Sequence, residues 1–194
     1  MSIPVPPLPR PMRADARRNR ERILDAALAA FAEHGSASQM EDVAARAGVG
    51  VGTLYRHFPT KEALILAVVV RRFERFADYA AEALEADGDP GEAFAGLIRR
   101  VAGDMAAEAG SQEALELIDK ESGHPELEAA LAPLRERVGL LIRRAHDAGA
   151  LRRDFEVDDM PSLMCGVCES VASATRQGRD WRRYVEFALD GLSR

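Results

Sequence analysis

The chain is short of cysteine, of lysine and of long apolar runs. Its two cysteines, Cys165 and Cys168, exclude a disulfide scaffold and point to a reducing, cytoplasmic compartment. No apolar stretch reaches the roughly 18 residues of a membrane span, and the Pro-rich, basic residues 1–13 lack the apolar core of a signal peptide. Five of the ten prolines fall in those first 13 residues, which predicts an extended tail. Strand-type alternation and hairpin dipeptides are missing, and so are internal repeats. The four histidines, His34, His57, His124 and His146, have no metal-ligand spacing, so neither metal nor cofactor is expected. The motifs of nucleotide-binding, serine-hydrolase and zinc-protease sites are absent too, which gives a catalytic reading no support. The adjacent carboxylates Glu41-Asp42 and Asp158-Asp159 stand at helix starts, where the helix dipole explains them.

What the chain does have is size, apolar content and an uneven charge. Its 194 residues are 47% hydrophobic and 30% charged, enough for a buried core without cross-links. The net charge of −6 conceals a polarity. Residues 1–75 hold 12 Lys/Arg against 8 Asp/Glu, a net of +4, while residues 76–194 hold 14 against 24, a net of −10. Such a chain would hold a polyanion at one end and repel it at the other.

Beyond the tail the pattern is helical throughout. Apolar stripes predict helices over 17–34, 40–47, 51–58, 61–85, 90–109, 111–120, 125–148, 159–176 and 180–192, an all-α fold of about nine helices. Thr60 is the N-cap expected for the fourth, whose stripe is Leu66, Val69, Val70, Phe73, Phe76, Ala77, Ala80 and Leu84. Pro133 should kink or divide the 125–148 helix. Between Gln39 and Phe58, two short helices joined by Gly48-Val49-Gly50 make a helix-turn-helix. Val43, Ala44, Val49, Leu54 and Phe58 are its expected packing residues. Val51, Gly52, Thr53, Tyr55, Arg56 and His57 are left on or near the outer face.

These residues carry a resemblance. The run AARAGVGVGTLYRHFPTKEALILAV, preceded by RNRERILDAALAAFAEHG, resembles the TetR family of bacterial transcriptional repressors over residues 17–70. More weakly, DAGALRRDFEVDD and WRRYVEFALDGL are similar to the segments that surround the family's last two helices. The resemblance implies a DNA-binding domain over residues 14–60 and a ligand-binding and dimerisation domain over 61–194. It implies a homodimer on double-stranded, near-palindromic operator DNA, released by a small-molecule effector. Thr53, Tyr55 and Lys61 would meet phosphates, with Arg46 near another. Val51, Gly52, Arg56 and His57 would lie near base edges or the adjoining backbone. Gly50 stands where members often carry a Ser or Thr cap, so a side-chain phosphate contact is lost there. The basic arm Arg13, Arg17, Arg18 and Arg20 would enter the adjacent minor groove or hold the backbone.

For the body, Phe94, Met105, Leu115, Ile118, Leu141 and Met164 are candidate pocket residues. Val167, Val171, Trp181, Tyr184, Val185 and Ala188 are candidates for the dimer interface. Cys165-Gly-Val-Cys168 reads as a redox switch, as half a zinc site, or as thiols on a buried helix face beside Met164, Val167 and Val171. The pairs Arg143-Arg144 and Arg152-Arg153 would either greet an anionic ligand or form solvated faces. An activator, a ligand-independent regulator and an interaction module with a vestigial head are the other readings.

Overall fold

A computed structural model describes residues 10–111 and 123–193 of the chain. Among them are eight α-helices: α1 (Arg10–His34), α2 (Met40–Ala47), α3 (Val51–His57), α4 (Lys61–Glu85), α5 (Pro90–Ala107), α6 (Pro125–Asp147), α7 (Met160–Arg176) and α8 (Arg182–Leu192). The only β-type pairing among these residues is an isolated bridge between Leu151 and Ser193. None of the described helices is long and apolar enough to cross a membrane. The helix expected over 111–120 lies outside the described residues, apart from Ser111 in a 3-10 turn.

One expectation changes and another narrows. The first helix begins at Arg10, not Arg17, so residues 10–13 are helical where an extended tail was expected. Pro11 falls in its first turn, where the missing N–H has no helical partner to lose. Pro133 does not divide α6, which runs from Pro125–Asp147 with that proline inside it.

Caps fix the helix starts. Thr60 Oγ1 accepts from the Ala63 N–H at 3.1 Å, and Asp89 Oδ1 accepts from the Glu92 N–H at 2.9 Å, with Pro90 following.

Two apolar clusters form the interior. The first joins Ile23, Leu24, Ala27 and Phe31 of α1 to Val43 and Ala44 of α2, Leu54 of α3, and Leu64, Ile65 and Val68 of α4. Leu127 of α6 also belongs to it, so this core reaches past residue 60 into the larger helical body. The second gathers Phe76 and Ala80 of α4, Phe94, Leu97, Ile98 and Val101 of α5, and Val138, Leu141 and Ile142 of α6, with Val167, Val171, Val185 and Leu189 behind them.

Helix α4 therefore serves both cores, turning different faces to each. That is why Leu64, Ile65, Val68 and even Arg72 are buried, while Leu66, Val70 and Phe73 of the expected stripe are half-buried. Its main neighbour is α6, from which Arg137 and Arg144 each donate to an α4 carbonyl, Ala77 and Leu84, at 2.7 Å.

Candidate nucleic-acid interface and helical body

Helix α2 ends at Gly48, whose φ of +64° lies in the left-handed region that favours glycine. The turn passes through half-buried Val49 to Gly50, the extended N-cap of α3, which offers no side-chain cap. Leu54 is the one buried residue of α3, and Phe58 seals the helix end against the core. Anchoring one side in this way turns Val51, Gly52, Tyr55 and Arg56 outward, with Thr53 and His57 half-buried beside them. Val51 and Tyr55, each 40% exposed, are among the few large apolar side chains so open to solvent. A contiguous, solvent-facing strip on a two-turn helix, held by a helix behind it, has the shape that enters a major groove.

The polar groups around α3 are partly engaged with one another. Arg56 donates to Thr53 Oγ1 at 2.8 Å, and the Tyr55 hydroxyl lies 3.5 Å from Glu41. Arg46 of α2 pairs with Glu33 of α1. Lys61 donates to the Ser36 carbonyl at 2.6 Å, tying the start of α4 to the turn after α1. An ammonium has three donors, so two remain for other acceptors. Beside it the Glu62 carboxyl is held below its usual range, first by a backbone N–H at the helix start and then by the Thr60 hydroxyl. Arg17 and Arg18 are exposed on α1, the latter paired with Asp15, and Arg20 sits over the Phe58 ring at 5.6 Å.

In the body, sequence periodicity and surface chemistry part ways. Phe94 and Leu141 are fully in the second core, Phe94 edge-on to Phe155 at 6.1 Å, while Met105 and Met164 are half-buried at its margin. Leu115 and Ile118 lie outside the described residues. A cleft of about 210 Å³ opens elsewhere, among Glu92, Phe94, Arg99, Leu151, Glu186 and Asp190, and shares only Phe94 with the expected set. Arg99 grips Glu186 through two bonds of 2.8 Å there, which holds the Glu186 carboxyl below its usual range.

Three of the expected interface residues, Val167, Val171 and Val185, are buried within the chain and have no surface to offer a partner. Trp181, Tyr184 and Ala188 are half-buried. The open face of α7 instead carries Ser162, Cys165, Gly166 and Ser170, and α8 exposes Phe187 at 55%. Apolar periodicity finds the face that packs on its own core, and a small-residue face escapes it. The same correction applies to the thiols: Cys165 is exposed, while half-buried Cys168 turns inward to the Met105 sulfur. Nor do the arginine pairs build an anion pocket. Arg144 holds the Leu84 carbonyl, Arg152 holds Asp154 in a fork of two 2.7 Å bonds, and Arg143 and Arg153 are exposed. Among the described residues no group of His, Cys, Asp and Glu is placed to hold a metal.

The sequence that builds this head is shared. Residues 23–68 match the family described as bacterial regulatory proteins, tetR family, and residues 89–194 match the SbtR-like transcriptional regulator C-terminal domain. The transcriptional repressor KstR of Mycolicibacterium smegmatis is 48% identical over 75 residues, and that of Rhodococcus jostii is 52% identical over 60. These matches cover 38% and 30% of this chain, and 37% and 28% of the repressors, so the chain spans about a third of the length of these curated relatives. Solved structures match along nine tenths or more of the chain. A TetR transcription regulatory protein from Mycobacterium vanbaalenii is 38% identical with a TM-score of 0.69, over 95% of this chain and 100% of its own. The regulator SCO0520 from Streptomyces coelicolor is 33% identical with a TM-score of 0.66, over 90% and 98%. With both halves matched, a helix-turn-helix at one end and an all-helical body at the other, the chain belongs to the TetR family of DNA-binding transcriptional regulators and is not an enzyme.

Proposed function

We propose that the chain is a cytoplasmic, homodimeric repressor that covers a near-palindromic operator and leaves it when a small apolar molecule binds the body. The outward strip of α3 carries this reading: Val51, Gly52, Arg56 and His57 would meet base edges or nearby backbone, and Thr53 and Tyr55 would meet phosphates together with Arg46 of α2 and Lys61 of α4. With small residues at 50–52, few side chains reach bases, so DNA shape contributes to selectivity. Two heads bind successive turns of one groove when their recognition helices stand roughly 34–36 Å apart. The proposed dimer contact is the open face of α7 and α8, with Cys165, Gly166, Ser170, Tyr184 and Phe187.

The effector is placed against Met105 and Met164, at the margin of the second core and beside Phe94 and Leu141. Methionine lets such a wall re-pack around an apolar guest. Its effect is a population shift, because a ligand favouring a wider spacing of the heads withdraws dimers from DNA.

Selection of bound duplexes from a random-sequence pool tests this reading. Enrichment of an inverted repeat with half-sites about 10 base pairs apart, centre to centre, supports it. A pool that stays random after several rounds contradicts operator recognition, and a monomeric complex contradicts the dimer.

A further inference from the structure

All of the sulfur beyond residue 75 belongs to two helices of the body. It comes from Met105 on α5 and from Met160, Met164, Cys165 and Cys168 on the first half of α7. Met160, Met164 and Cys168 follow one another at intervals of four, which stacks them along one face of the helix. These three are half-buried, as is Met105, and the methionines pack at the margin of the second core. Helices α5 and α7 pack on each other, and across their contact Cys168 Sγ meets Met105 Sδ at 2.6 Å. Cys165, by contrast, is exposed. Packing alone asks for no such concentration, since leucine fills a core wall with fewer rotamers to freeze than methionine.

The oxygen donors nearest along the chain are committed elsewhere. Asp104 binds Arg75, Glu108 binds Arg72 and Arg75, and Glu169 pairs with Arg176. Neither α5 nor α7 contains a histidine. A thiol facing thioethers, without imidazole or free carboxylate, is a soft donor set. It suits a monovalent soft cation such as Cu(I) or Ag(I), which accepts few ligands. It does not suit zinc, which takes four donors drawn from Cys, His, Asp and Glu. Metal–sulfur bonds of about 2.3 Å, the length zinc makes to thiolate, would set two sulfurs roughly 4 Å apart. Met105, unbranched with three rotatable bonds, can draw its sulfur back by that amount.

We propose that Cys168, Met105 and Met164 form a binding site for a soft monovalent cation, Cu(I) or Ag(I), which joins α5 to α7 at the margin of the second core. The ion bonds to the Cys168 thiolate and to two thioether sulfurs, and the thiol proton leaves to solvent. No electron moves. The site uses the wall at which the effector is placed but stands on its sulfur chemistry alone, so it can fail while the apolar pocket stands.

Titration of the reduced full chain with Cu(I), without oxygen and against a chromophoric Cu(I) chelator, tests the site. The unmodified chain should hold one Cu(I) per protomer, and an excess of Zn(II) should not displace it. Cys168→Ser should lose the ion. Met105→Leu and Met164→Leu keep the volume of the wall and therefore the fold, and each should weaken Cu(I) binding by about tenfold or more. Full affinity in both leucine variants would place the ion on the Cys165–Cys168 pair instead and overturn the site. So would displacement by Zn(II), or failure of the unmodified chain to retain Cu(I) against the chelator.

Discussion

Gly110 sits so close to the backbone of Ala32 that a methyl group added to it would stand 2.4 Å from the Ala32 carbonyl oxygen. One residue of the body thus seats directly on the main chain of the head's first helix. The neighbouring Glu108 binds Arg72 and Arg75 of α4 at 2.7 and 2.6 Å. A single turn therefore holds both helices that carry the head.

Gly110→Ala must push that turn from α1, because backbone cannot yield as a flexible side chain does. We expect a loss of about 1–3 kcal/mol, typical of overpacking, read as a lower midpoint in urea. An unchanged midpoint would mean that the seat is looser than the geometry shows.

Arg72 is only 7% exposed, and its carboxylate partner Glu108 is nearly as buried. Glu108→Ala strands the guanidinium without a counter-charge, a change that costs about 3–5 kcal/mol at buried sites. The exposed Arg135–Asp158 pair makes the contrast, since Asp158→Ala should cost under about 1 kcal/mol. Chemical denaturation of both variants separates the two cases.

Acid should loosen the α5–α8 contact and the turn after α6. Arg152 depresses the Asp154 carboxyl to about 2, and Arg99 holds Glu186 below its usual range. Both carboxyls are depressed on folding, so their contribution is complete above the ordinary carboxylate range and fades as pH falls from about 4 toward 2. Thermal midpoints should drop across that window, and Glu186→Gln should flatten part of the drop. An equally steep fall in Glu186→Gln would remove this pair from the explanation.

Lys61 has two tasks in this structure, one inside the protein and one at the DNA face. Losing its 2.6 Å bond to the Ser36 carbonyl should cost Lys61→Ala about 1 kcal/mol without DNA. With DNA, every duplex should bind more weakly and the salt slope should fall by about one per protomer. Tyr55→Phe should weaken every duplex too, without flattening the slope.

How much of this could be read from the sequence depends on which force placed each residue. Gly48, Leu54 and Phe58 were legible because a left-handed turn and a short apolar face leave local signatures. The early start of α1 was not, since its first turns are polar and Pro-marked, which looks like a tail. Apolar periodicity offers Val167, Val171 and Val185 as a partner surface because it does not say whose core a stripe enters. The buried Arg72–Glu108 pair joins residues 36 positions apart, and no local pattern announces it.

The most direct test is a mobility-shift titration of the chain against DNA from just upstream of its own gene, beside random duplex, at roughly 50 and 200 mM salt. A TetR-type operator reader should bind the upstream DNA at least about a thousandfold more tightly than random duplex, and should lose affinity steeply between the two salts. Equal affinity for both duplexes, followed by no enriched site in a genome-wide selection of bound fragments, would contradict sequence-specific regulation by this head.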